Sequence, residues 1–189
     1  MSRDEELAQL IREIGACNRC GLAAGRTHTV PGEGAVPSGV MFIGEGPGAR
    51  EDELGRPFVG RSGALLDRLI QEEFGFDRRS CYIANVVKCR PPGNRDPADD
   101  EVSACSGYLA RQLELVDPQV VVLLGRIAAS RLLERRDPLK ELRGRRFEIG
   151  GRRYIPTYHP AAALRGGASV VTEMRVDFAR VHLVMLGAG

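Results

Sequence analysis

Near the start of the chain the apolar residues Leu7, Leu10, Ile11 and Ile14 recur at the three-to-four spacing that gathers them on one side of a helix. Ser2 and Glu5 stand in capping-box relation ahead of them, so the pattern predicts an amphipathic helix that delivers Cys17 at its end. The pattern then changes. Residues 40–43, 82–87 and 120–124 are short continuous apolar runs, and residues 154–157 form a shorter fourth. Unbroken runs suit strands covered on both faces, which is the situation in a parallel sheet. Between the runs lie helical patterns. Ser62 is the expected cap of a helix carrying Leu65, Leu66, Leu69, Ile70 and Phe74 on one side. Asp96 and Pro97 have the chemistry of a helix start, with Val102, Cys105 and Leu109 on the inward stripe and an end at Val116 before Pro118. Gly125 opens a helix through Leu133, and a last one spans residues 170–186. Strands separated by helices require right-handed crossovers, so the predicted fold is a three-layer α/β/α sandwich on a central four-stranded, mainly parallel sheet.

A length of 189 residues with 43% hydrophobic content supports one well-buried domain, and the expectation is a single domain over residues 1–189. No apolar stretch approaches the roughly 20 residues that cross a bilayer, so no membrane partner is expected. Five cysteines, an odd number, without a charged-then-apolar leader argue for reduced thiols and a cytoplasmic setting. Net charge is only +2, but residues 126–153 hold ten basic and four acidic side chains, nearly all the cations being arginine. Arginine's planar fork suits phosphate oxygens, which makes nucleic acid one reading of this stretch; a genomic bias towards arginine is the other.

Two features carry chemistry. Cys17 and Cys20 form a C-x2-C pair, and Cys89 and Cys105 follow at a distance. A close pair lets one short loop aim two soft sulfurs at one centre, which fits zinc or an iron–sulfur cluster. The run from Gly44 to Gly48, GEGPG, follows the first buried strand. It lacks the spacing and the lysine of the nucleotide-binding fingerprints, and its glycines either admit a ligand to the backbone or make an ordinary turn. Ligands of open α/β sheets gather beyond the carboxyl ends of the strands, where this loop, Asn85 and His159 all fall.

Taken in order, GEGPGAREDELGRPFVGRSG from Gly44, NVVKCRPPGNRDP from Asn85, the early ACNRC and YHPAAALR from Tyr158 resemble the iron–sulfur-containing family 4 uracil-DNA glycosylases. The resemblance extends from residue 16 to residue 165. It implies a uracil-DNA glycosylase-like fold and a [4Fe-4S] cluster on Cys17, Cys20, Cys89 and Cys105, with Cys81 outside the set. It also implies a monofunctional enzyme that flips uracil out of single- or double-stranded DNA, hydrolyses the N-glycosidic bond and leaves an abasic site. The expected state is a monomer.

By the same resemblance, Phe58 stacks on the flipped base, Asn85 reads its polar edge, and His159 hydrogen-bonds the uracil anion as it leaves. Where other branches of the superfamily place an aspartate, this chain has Gly46, which leaves Glu45 and Glu51 as the carboxylates able to hold water. Glu51 has a second possible role, shaping the pocket against the methyl of thymine. Leu164 and Arg165 are the residues expected to enter the DNA, on what is taken to be a loop. Neither Lys88 nor Lys140 matches a position for Schiff-base chemistry. Two other readings remain: a family 5-like glycosylase of broader substrate range, against which Asn85 speaks, and a non-catalytic nucleic-acid-binding module with a zinc or redox centre.

Overall fold

The computed structural model describes residues 2–187. Helix α1 (Arg3–Gly15) begins as its sequence predicts: the Ser2 hydroxyl accepts the Glu5 amide, and the Glu5 carboxylate accepts the Ser2 amide at 2.7 Å. The strands are β1 (Glu33–Gly34), β2 (Val40–Gly44), β3 (Tyr82–Asn85), β4 (Val120–Leu124), β5 (Phe147–Ile149) and β6 (Arg152–Thr157). They form one sheet in the order β1-β3-β2-β4-β6-β5, the inner four parallel and the two edges antiparallel.

The four inner strands are those that the apolar runs predict. The sheet nonetheless has six strands rather than four, because β1 is only two residues long and β5 sits in a charged stretch without an apolar run. The other helices are α2 (Ala49–Leu54), α3 (Arg61–Phe74), α4 (Asp99–Val116), α5 (Arg126–Leu133), α6 (Leu139–Leu142), α7 (Pro160–Gly166) and α8 (Ala168–Met185).

Continuous apolar strands are explained by two separate cores. Met41, Ile43, Val121 and Leu123 face one layer with Leu10 and Ile14 of α1, Cys105 and Leu109 of α4 and Ala128 of α5. Val40, Phe42, Val120, Val122 and Leu124 face the other with Leu66, Leu69 and Ile70 of α3 and Phe178 of α8. Because successive side chains of a strand point to opposite faces, both halves of each run are buried. Each fully buried side chain of this size contributes roughly 1.5–3 kcal/mol. Phe42, Phe74 and Phe178 meet with ring centroids 5.5–6.1 Å apart and tie α3 and α8 to the sheet.

Two helix starts differ from the sequence reading. Ser62 does not cap α3: the N-cap is Gly60, and its amide donates to the Glu51 carboxylate at 3.0 Å. Likewise α4 starts at Asp99, where the Glu101 carboxylate accepts the Ala98 amide at 2.8 Å and pairs with Arg95, while Asp96 pairs with Arg126.

All four inner strands end on the same side, so their carboxyl ends bring together residues far apart in sequence. Gly44 lies directly opposite Asn85 across the β2–β3 ladder, and Leu124 opposite Thr157 across β4–β6.

Candidate active site and thiol centre

A cavity of about 460 Å³ opens at these strand ends, and Glu45, Gly46, Phe58, Asn85, His159 and Arg165 are among its lining residues. Glu51 lines it as well. The side chains that the sequence reading assigned to base recognition and leaving-group stabilisation therefore share one space.

The approach is close. A Cβ on Gly44 would stand 2.5 Å from Asn85 Oδ1 and 2.6 Å from Phe58 Cζ, so only glycine lets the amide and the ring pack on the β2 backbone. Asn85 is 1% exposed, and its Oδ1 is buried with no hydrogen-bond partner. An unpaired buried acceptor costs about 1–3 kcal/mol, and Asn85 is among the residues that line the cavity. At Gly46 a Cβ would approach Val87 Cγ2 to 2.8 Å, so the loop has no room for a side chain there without movement.

His159 caps α7: its Nδ1 accepts the Ala161 amide at 3.0 Å. A nitrogen that accepts carries no proton, so the neutral ring holds its hydrogen on Nε2 as a donor. Burial, and then the nearby Arg165 charge, push its pKa down to about 4, with Glu51 opposing. The Phe58 ring lies against the imidazole, centroids 5.5 Å apart at 30°. Glu45 is shifted the other way: burial and then the Asp96 charge raise its pKa, and Arg126 opposes them. A carboxyl of raised pKa beside a cavity is suited to holding or taking a proton.

Glu51 is engaged in holding backbone. Its Oε1 accepts the amides of Val59 at 2.9 Å and Gly60 at 3.0 Å. Leu164 and Arg165 are exposed, and they stand on the short helix α7 rather than on a loop. Pro160 at its first position and the His159 cap explain the helix.

The basic stretch changes character on folding. Arg126, Arg131, Arg143 and Arg152 pair with Asp96, Asp99, Asp177 and Asp117, all from outside residues 126–153. Much of the positive excess is thus matched within the protein.

Cys17, Cys20, Cys89 and Cys105 line a second, small cavity between α1, the segment after β3, and α4. The Arg26 guanidinium donates to Cys89 Sγ at 3.4 Å, and the Lys88 amide to Cys105 Sγ at 3.5 Å. Donors aimed at sulfur are what a thiolate set requires. Among the described residues no group of three or more His, Cys, Asp or Glu is arranged around a single metal-ion position. Cys81 lies apart, its Sγ donating to the Arg78 carbonyl at 3.2 Å and its pKa pushed up by burial to about 12.

Two engaged basic side chains have no signature in the sequence. Lys88 is 1% exposed, and its Nζ donates to the Asn85 carbonyl and to Gln112 Oε1, both at 2.6 Å. Arg26 reaches its sulfur across 63 positions of chain. Among the described residues no helix is long and apolar enough to cross a membrane.

Residues 31–178 match the Uracil DNA glycosylase superfamily. The Type-4 uracil-DNA glycosylase of Thermotoga maritima is 44% identical over 92% of this chain and 91% of that protein. That of Sulfurisphaera tokodaii is also 44% identical, over 85% of this chain and 76% of its own length. A Type-5 uracil-DNA glycosylase of Pyrobaculum aerophilum is 32% identical over 70% of this chain and 65% of its own. The chain therefore belongs to the uracil-DNA glycosylase superfamily and, within it, to the type-4 uracil-DNA glycosylases.

Proposed function

We propose that this protein excises uracil from DNA, and that the observation carrying the role of its site is the orphaned Oδ1 of Asn85 inside the shared cavity. Uracil presents an N3–H donor beside its O4 acceptor, and a neutral amide complements both, Oδ1 accepting and Nδ2 donating. Cytosine carries an amino group at C4 and no N3–H, so the same amide meets it mismatched. The target base reaches the cavity only when rotated out of the stack, and the Phe58 ring offers it an apolar face.

When the C1′–N1 bond breaks, its electron pair leaves with uracil, and charge accumulates on O2. The Nε2–H of neutral His159 is the donor for that oxygen. A fixed donor in a site without bulk water gains strength as the charge grows and needs no reorganisation. The sugar is left electron-poor at C1′, and water adds there while losing a proton. With Gly46 offering no side chain, Glu45 is the group assigned to hold this water, its raised pKa suiting it to proton transfer. Glu51 is assigned to shaping the pocket through residues 59 and 60.

The four thiols about one cavity, with donors aimed at two of the sulfurs, fit a [4Fe-4S] cluster. When bound, the cluster would cross-link α1, the segment after β3, and α4. Leu164 and Arg165, exposed beside the cavity, are assigned to the DNA, Leu164 as an apolar wedge.

The direct test is incubation with uracil- and thymine-containing oligonucleotides followed by alkaline cleavage of abasic sites. Strand scission at uracil alone is expected, and DNA binding without abasic product would remove the enzyme reading. Binding of free uracil separates the two polar residues. Asn85→Ala should weaken it roughly 10- to 100-fold, the value of one bidentate base contact. Glu51→Gln keeps an acceptor for the Val59 and Gly60 amides and should lose much less; equal losses would contradict the division of roles.

A further inference from the structure

Phe58 has φ +50°, the left-handed region, at the point where its ring enters the cavity. A bulky non-glycine residue held there costs about 1–3 kcal/mol and persists only where its surroundings over-determine it. The surroundings include one side chain outside the cavity. Arg78, on the turn Arg78–Ser80 ahead of β3, donates through Nη2 to the Pro57 carbonyl at 2.6 Å and through Nη1 to the Phe58 carbonyl at 2.8 Å. Its guanidinium is itself fixed from two sides, by Glu33 of β1 at 3.0 Å and Asp67 of α3 at 3.1 Å, and is only 15% exposed.

The other half of the grip comes from Glu51 on the amides of Val59 and Gly60. Four consecutive residues are thus held by carbonyl on one side and by amide on the other. Helix α3 closes against them: a Cβ on Gly63 would come within 1.8 Å of the Phe58 carbonyl oxygen.

We propose that Arg78 is a positioning residue for base recognition: by clamping the carbonyls of Pro57 and Phe58 it imposes the left-handed backbone that aims the Phe58 ring at the flipped base. The proposal rests on the uracil-excision reading and extends it to a residue that does not line the cavity. Two carbonyls and two carboxylates converge on a planar fork with five donors, and lysine offers one point charge in its place.

The test is a double-mutant cycle on single-turnover excision of uracil. Arg78→Lys should slow excision on the order of 10- to 100-fold, while affinity for DNA bearing an abasic site stays within about twofold. In a Phe58→Ala background the same change should slow it by less than about threefold further. Effects that multiply, or a parallel loss of DNA affinity, would overturn the proposal, as would an Arg78→Lys protein as fast as the wild type. If Arg78→Lys does not fold, Asp67→Asn takes its place, since it loosens the guanidinium and leaves both carbonyl bonds. A loss of roughly threefold or more that vanishes with Phe58→Ala is then expected. No loss, or one that persists with Phe58→Ala, overturns the proposal. Absence of abasic product from the wild type would instead strike the uracil reading itself.

Discussion

His159→Ala should slow single-turnover uracil excision about 10²- to 10³-fold, the usual cost of removing one donor from a developing oxyanion. The change falls on the bond-breaking step, so affinity for uracil-containing DNA should fall much less. The pH profile separates a neutral donor from a cationic one. With its pKa near 4, His159 is uncharged across roughly pH 5–8 and contributes no ionisation step there. A unit slope in log rate near pH 6.5 that disappears in His159→Gln would contradict the neutral donor.

The same shift has a sign for stability. The folded value lies below the ordinary 6.5, so the unfolded chain takes up the proton first as the pH falls. The contribution is whole above about pH 6.5 and is lost as the pH falls through about 4; a shift of this size corresponds to roughly 3 kcal/mol. Chemical denaturation of wild type and His159→Gln at pH 7 and pH 4.5 measures it, and the wild type should lose more.

The second large effect is expected at the thiol centre. Cys89→Ala should abolish the visible absorption of the purified protein. It should also lower the melting midpoint by about 10 °C or more, since a bound metal centre supplies several kcal/mol of folding free energy and each is worth ~2–4 °C at this size. Cys89 joins the segment that follows Asn85 to a cavity shared with α1 and α4, so excision should decline as well. Cys81→Ala, outside that cavity, should keep the absorption. A colourless wild type carrying stoichiometric zinc would reverse the assignment of the centre.

How much of this was legible in the sequence depends on whether a feature is periodic or convergent. The inner strands were readable because a strand buried on both faces has to be apolar throughout, and α1 because its caps are three residues apart. Strands β1 and β5 were not, since β1 is two residues long and in β5 Glu148 separates the only two apolar residues, Phe147 and Ile149, so neither leaves an apolar run. Ser62 is not the cap because α3 already begins at Arg61, with Gly60 as an N-cap that has no side chain to signal it. The convergence of Phe58, Asn85 and His159 was accessible through motif order. The Arg78 clamp was not, because its partners are the carbonyls of Pro57 and Phe58, and a carbonyl gives no sign of itself in a sequence. The basic stretch over residues 126–153 suggested a phosphate-binding surface, whereas several of its arginines find carboxylates from distant segments.

The enclosure of Lys88 reaches beyond the site. The chain has two lysines; Lys88 is fully enclosed with its nitrogen engaged, and Lys140 is exposed. Amine-reactive dyes and cross-linkers therefore meet one lysine side chain per folded molecule. A fluorophore or surface tether can be attached at Lys140 without engineering, and the appearance of a second labelled lysine would report that the interior had opened.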